Sequence, residues 1–226
     1  MTYTNTFEGV FLSRPNRFIS HVEIGGETVV SHVKNTGRCK ELLIPGVKVI
    51  LQKADNPERK TGYDLIAVWK GTRLINIDSG APNKVFLEHL RSLRYIDGIT
   101  FIKPEAKYGN SRFDFYVETV NRKIFIEVKG ATLEEDGIAL FPDAPTARGV
   151  KHLNELARCV RDGYEAQVVF VIQMNGVHYF MPNDRTHPAF GEALRAAEKA
   201  GVKVLALDCT VTPGSVIIGT PIPVKL

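Results

Sequence analysis

A chain of 226 residues, 44% of them hydrophobic, can fill one large domain or two small ones, and its net charge of +4 is too mild to name a partner by itself. No apolar run approaches the roughly 20 residues of a membrane span, and residues 1–5 lack the basic-then-apolar grammar of a secretory signal. Three widely spaced cysteines, Cys39, Cys159 and Cys209, form neither a zinc spacing nor a disulfide framework, which predicts buried thiols and a reducing, cytoplasmic compartment.

Residues 1–80 read as short strands with frequent turn signals, at 7–12, 18–24, 28–32, 47–52, 63–68 and 74–77. About five principal strands in some eighty residues predict a small barrel of the oligonucleotide-binding (OB) kind. This part holds 11 Lys/Arg against 8 Asp/Glu, and the rest of the chain holds 18 against 17. The small excess suits phosphate without requiring it. Arg14 and Arg17 flank one turn. Lys34, Arg38 and Lys40 surround Gly37, where Asn35 or Thr36 is placed to cap a short helix through Leu43. Arg59 and Lys60 lie in a turn-rich stretch, 55–62. Each of these loops also reads as an ordinary solvated one.

The grammar changes after Gly80. Val85, Phe86, Leu87, Leu90 and Leu93 predict an amphipathic helix over 84–93, with Glu88 off its apolar stripe. A strand near 99–104 follows, then two strands described below. Further predicted elements are a helix over 144–162, strands at 167–173 and 178–181, a helix over 188–200, and strands at 202–207 and 216–218. This is an α/β plan with helices covering a sheet. The resulting division is 1–80 and 81–226.

The chemistry is concentrated in two strands, 111–118 and 123–129. Alternation puts Phe113, Phe115 and Val117 on one face and Asp114, Tyr116 and Glu118 on the other; Ile124, Ile126 and Val128 oppose Glu127 and Lys129. A tight reversal near Val120-Asn121 gives a register in which paired numbers sum to 241. Asp114 then faces Glu127, and Arg112 faces Lys129. Like charges opposed on a sheet are destabilising. A hard divalent cation between them removes the conflict, and oxygen ligands suit Mg²⁺ or Mn²⁺. A lysine on the same face can orient water or offset phosphate charge, as metal-assisted phosphodiester cleavage requires. The plain alternative is the charge pattern of any half-exposed hairpin.

Several stretches are similar to the sugar fermentation stimulation protein A (SfsA) family, over nearly the full length. They are Arg14-Pro15-Asn16-Arg17-Phe18, Asn35-Thr36-Gly37-Arg38, Asp55-Asn56-Pro57-Glu58-Arg59-Lys60-Thr61, Pro82-Asn83, Ser111-Arg112-Phe113-Asp114-Phe115, Glu127-Val128-Lys129 and, most specifically, residues 141–153 from Phe141-Pro142-Asp143 to Lys151-His152-Leu153. The resemblance implies an N-terminal OB-like β-barrel followed by a PD-(D/E)xK restriction-endonuclease-like α/β domain, and DNA as partner, single- or double-stranded. It adds an acid on the first helix, for which Glu88 is the candidate. It also adds a basic or polar residue on the helix after the Glu-x-Lys strand, for which Lys151 and His152 are candidates, with Arg148 near for phosphate. Two positions depart from the pattern: Phe113 stands where the motif name has proline, and Ala147 where a polar residue such as Glu is expected.

The leading expectation is therefore a DNA-binding protein with a Mg²⁺- or Mn²⁺-dependent nuclease site. Its ligands are Asp114 and Glu127, and Lys129, Glu88 and Lys151 complete it. Arg14, Arg17, Lys34, Arg38, Arg59, Lys60, Arg148 and His152 are the DNA-contacting candidates. The rival is a non-catalytic DNA-binding regulator of sugar catabolism genes on a nuclease fold, since a fold does not fix an activity. A small-molecule binder is a third reading, without a Gly-rich nucleotide loop to support it.

Overall fold

The computed structural model describes every residue except Thr36, Pro57, Leu93 and Arg94, so Thr36 as a cap and Leu93 in the helix stripe lie outside the described residues. Strands β1 (Thr6–Ser13), β2 (Ile19–Ile24), β3 (Glu27–Val33), β4 (Lys48–Lys53), β5 (Tyr63–Lys70) and β6 (Arg73–Asn76) form one sheet in the order β3-β2-β1-β4-β5-β6. Parallel pairing of β3 with β5, from Ser31↔Tyr63 to Val33↔Leu65, closes five of these strands into a barrel. Closure removes exposed strand edges. Phe11, Val22, Val33, Val49, Leu51 and Leu65 fill the interior. Ser20 and Ser31, buried there, satisfy each other at 2.7 Å. Gly9 has no room for a side chain, because a Cβ would stand 2.6 Å from Val22 and 2.8 Å from the Glu23 carbonyl.

The helix expected through Leu43 is a single turn, in which the Leu42 and Leu43 amides donate to the Cys39 carbonyl and Pro45-Gly46 end it. Asn35 caps a turn: its Oδ1 accepts the Gly37 amide at 2.7 Å and its Nδ2 donates to the Ile77 carbonyl at 3.0 Å.

The second unit contains α1 (Ala81–Arg91), β7 (Ile99–Tyr108), β8 (Ser111–Thr119), β9 (Lys123–Ala131), β10 (Leu133–Glu135), β11 (Ile138–Phe141), α2 (Ala147–Arg161), β12 (Glu165–Ile172), β13 (Tyr179–Pro182), α3 (Pro188–Lys199), β14 (Lys203–Thr212) and β15 (Ser215–Ile222). Its main sheet runs β15-β14-β12-β9-β8-β7, with β12 parallel to both β9 and β14. Period-two alternation serves both faces. Val169 and Val171 pack with Val85, Phe86 and Leu90 of α1. Val168 and Phe170 pack with Leu153 and Leu156 of α2 and Phe190 and Leu194 of α3. All three cysteines are buried free thiols.

Strand β8 departs from simple alternation at one place. Phe115 lies against Phe86 on the α1 side, as expected. Phe113 instead packs against Phe125 and the His152 ring on the α2 side. The two phenylalanines thus leave the sheet in opposite directions, and Asp114 sits at the turn between them. Opposite it in β7, Glu105 follows Pro104 with a positive φ of 53°. The break in alternation in β8 and the positive φ in β7 therefore fall at the level of Asp114.

Candidate functional site

Strands β8 and β9 pair with the 241 register: Phe115↔Ile126, Tyr116↔Phe125, Val117↔Ile124 and Glu118↔Lys123. The regular ladder stops one step before Asp114 and Glu127. There the Asp114 carboxylate replaces the backbone partner, its Oδ2 accepting the Val128 amide at 2.7 Å. Its Oδ1 accepts Asn83 Nδ2 at 2.7 Å, from the first turn of α1. Burial first, and the nearby Glu127 charge second, push the Asp114 carboxyl above the usual range.

Glu127 is buried. Its Oε1 accepts both Lys129 Nζ at 2.6 Å and His152 Nδ1 at 2.5 Å. Its Oε2 is buried with no partner among the described residues. Burial alone would raise this carboxyl, but His152 and Lys129 outweigh it and hold the group below its ordinary range. Arg148 Nε donates to His152 Nε2 at 3.4 Å, so both ring nitrogens are engaged, Nδ1 by Glu127 and Nε2 by Arg148. Phe113, the residue in the proline position of the motif, supports that ring edge-on at 6.0 Å.

The donor chemistry fits a hard divalent cation: two carboxylates from adjacent strands, with one buried oxygen lacking any donor. Mg²⁺ commonly takes one or two carboxylates and keeps water on its remaining positions. Among the described residues no group of three His, Cys, Asp or Glu is placed to hold an ion.

The other predicted residues divide into four groups. Glu88 is not brought to Asp114: it pairs with the Met1 amino group, which also donates to the Val216 carbonyl. Five positions along a helix turn a side chain well away from Asn83, so Asn83 is the α1 residue at the site. Lys151 likewise points elsewhere, with Nζ 3.4 Å from the Asn110 carbonyl and 4.0 Å from Glu155. His152, one position on, is the α2 residue that reaches Glu127.

Several barrel cations are internally engaged. Arg14 donates to the carbonyls of Arg38, Arg17 and Asn35 at 2.6, 2.7 and 2.8 Å. It ties two loops together and is not free for phosphate. Lys34 pairs with buried Asp78 at 2.8 Å. Arg59 makes a forked contact with Asp64, at 2.7 and 3.1 Å. Burial would raise Asp64, but Arg59 outweighs it and holds the carboxyl low. Arg17, Arg38, Lys60 and Arg148 are exposed.

Two depressions adjoin these residues. A groove of about 410 Å³ is lined by Arg14, Arg17, Arg38 and Lys40 over Phe11 and Leu43. Gly37 also lines a second cleft, of about 350 Å³, between the barrel and the second unit. There Asn35, Ser79, Pro82, Gly130 and Thr146 converge, next in sequence to Asn83 and Lys129. Asn83 belongs to the Pro82-Asn83 stretch of the resemblance, but nothing in the apolar pattern, which starts the helix at 84, points it at the sheet.

The chain matches the model of the sugar fermentation stimulation protein RE domain over residues 80–215. It matches the SfsA N-terminal OB domain over residues 12–77. It is 63% identical over 226 residues to a sugar fermentation stimulation protein homolog of Desulfitobacterium hafniense (strain Y51), spanning all of this chain and 99% of that one. It is 58% identical to the homolog of Ruminiclostridium cellulolyticum, with both chains fully covered. The solved structure of Pyrococcus furiosus SfsA in complex with Ca²⁺ superposes with a TM-score of 0.87 at 32% identity, covering 100% of this chain and 98% of that one. Barrel, α/β sheet and sequence agree throughout, and the chain belongs to the SfsA family.

Proposed function

We propose that this protein is a cytoplasmic DNA-binding regulator on a nuclease fold. Residues 1–80 would supply the nucleic-acid face and residues 81–226 a divalent-cation site at Asp114 and Glu127. The observation that carries the reading is the run of exposed cations beside a cleft between the two units. Arg17, Arg38 and Lys40 line a groove that shares Gly37 with the cleft reaching Pro82 and Gly130. Arg17 and Lys60 lie on the β1–β2 and β4–β5 connections, through which OB barrels commonly contact oligonucleotides. Phosphate contacts of this kind set affinity without reading sequence. The family's name ties its members to sugar fermentation, and control of sugar catabolism genes is the role in keeping with it.

Asp114 and Glu127 are the ligands for Mg²⁺ or Mn²⁺ in this reading, and the Ca²⁺ carried by the Pyrococcus furiosus relative supports a hard cation. A bound cation would offset phosphate charge and make a coordinated water more acidic. Asn83 and the Val128 amide orient Asp114 toward it, and His152 fixes Glu127. Lys129 is engaged with Glu127 at 2.6 Å, where it offsets the carboxylate's charge.

Hydrolysis is the second reading, favoured by the unpartnered Glu127 Oε2 and by Lys129, which would hold phosphate charge if released from Glu127. The deciding experiment mixes wild type, Glu127→Ala and Lys129→Ala with labelled single-stranded and duplex DNA, with and without Mg²⁺ or Mn²⁺. Binding without new ends supports the regulator. Metal-dependent ends that fall by ~10²–10³ in Lys129→Ala would replace it with the nuclease. Failure of the wild type to bind either DNA rejects both.

A further inference from the structure

Phe18 is an exposed aromatic side chain, 53% accessible, on a backbone that is tightly held. Its amide and that of Ile19 both donate to Asn16 Oδ1, at 2.9 and 3.0 Å. Its carbonyl accepts the Val33 amide at 2.8 Å, and the preceding carbonyl, of Arg17, accepts Arg14 at 2.7 Å. Fixing this short stretch with four hydrogen bonds to three residues while leaving the ring in water gains nothing for the core. It presents a flat apolar face whose ordering cost is already met on folding.

The surroundings of the ring are cationic and polar. Phe18 forms one wall of a cleft of about 320 Å³ with His32, Lys34, Asn35, Ser79 and Lys84. Lys34 and His32 are committed to Asp78 and Asp64. Lys84, in the first turn of α1, lines the same cleft and is exposed, and Arg17, next in sequence to Phe18, is exposed as well. Asn35 and Ser79 also line the larger cleft between the two units, so the two depressions adjoin.

We propose that Phe18 is a stacking platform for an unpaired base, and that the preferred partner is single-stranded nucleic acid running from the barrel into the cleft between the units. This rests on the DNA-binding reading and specifies its strandedness. In a duplex both faces of every internal base are covered by neighbours, leaving a surface phenyl ring nothing to stack on. A single strand offers free base faces, and stacking on aromatic side chains tolerates any sequence. Arg17 and Lys84 would hold the flanking phosphates.

The test is fluorescence anisotropy of the full chain with a labelled deoxythymidine oligomer and with the same oligomer paired to its complement, each across a salt series. Wild type should bind the single strand more tightly. Phe18→Ala should lose roughly 5- to 100-fold on the single strand, little on the duplex, and nothing in salt slope, because no charge is removed. Phe18→Tyr should retain affinity, which separates loss of stacking from misfolding. Lys84→Ala should lower the magnitude of the slope by about 0.7. The inference is overturned if wild type binds DNA but Phe18→Ala matches it on the single strand, or if duplex is preferred and loses equally. A wild type that binds neither probe removes the DNA-binding reading itself.

Discussion

One oxygen of Glu127 takes both the Lys129 ammonium and the His152 imidazole, while the other is buried with no partner among the described residues. An unmet buried carboxylate oxygen costs stability, and a cation is the partner that both Glu127 and Asp114 can share. Asn83 holds the second ligand in place from α1. Asn83→Ala should therefore weaken Mn²⁺ binding by about tenfold or more, whereas Glu88→Gln should leave it unchanged; isothermal titration calorimetry on both variants checks this pair of outcomes. The Glu127/Lys129 pair could be read from sequence because period-two alternation puts both on one face of β9, and the reversal near Val120-Asn121 sets the register that pairs Phe115 with Ile126, one step from Asp114. Asn83 could not, because the apolar stripe starts the helix at 84 and leaves Asn83 in the preceding loop. The structure begins α1 at Ala81, with Pro82 in its first turn, where a missing N–H costs nothing.

At the scale of elements, α2 decides where His152 stands. Thr146 caps it, its Oγ1 accepting the Gly149 amide at 3.0 Å. Gly149 must stay small: a Cβ there would meet Thr146 at 2.9 Å and Phe190 at 3.1 Å. Thr146→Ala should cost about 1 kcal/mol, seen as a lower midpoint in urea unfolding with an unchanged slope. Pattern located α2 and its apolar stripe but began it three residues early, since only the cap geometry shows that Pro145 precedes the helix. The β10–β11 hairpin leaves no signature in the sequence, because strands of three and four residues are too short to display alternation. The bend at Asp114 escaped for a related reason: strict alternation assigns Phe113 and Phe115 to one face, and only packing against α2 reveals the change of side.

Across the whole molecule, the barrel is joined to the second unit by buried polar contacts. Glu134 of β10 accepts Lys70 at 2.6 Å and Arg73 at 2.8 Å, both from the barrel side. Burial would raise its carboxyl, but Lys70, the Gly137 amide and Arg73 together bring it down to about 2. A depressed carboxyl stabilises the fold fully above its unfolded value of 4.5, and that contribution is lost as the pH falls toward about 2. Wild type should lose stability steeply over this window. Glu134→Gln should be weaker by roughly 2 kcal/mol at neutral pH and show a flatter acid limb, measured by urea unfolding at stepped pH. The connection itself is equally engaged. Asn76 exchanges bonds with Gln173, whose side chain also donates to the Asp78 carbonyl at 3.0 Å. The Ile77, Ser79 and Gly80 amides donate to the Ile66 carbonyl, the Lys34 carbonyl and Asp78 Oδ1. For protein engineering this stretch has no slack. A flexible insert or a permutation site between Asn76 and Ala81 would break bonds on both sides at once, whereas the exposed tip at Val120 could carry a tag or a new terminus.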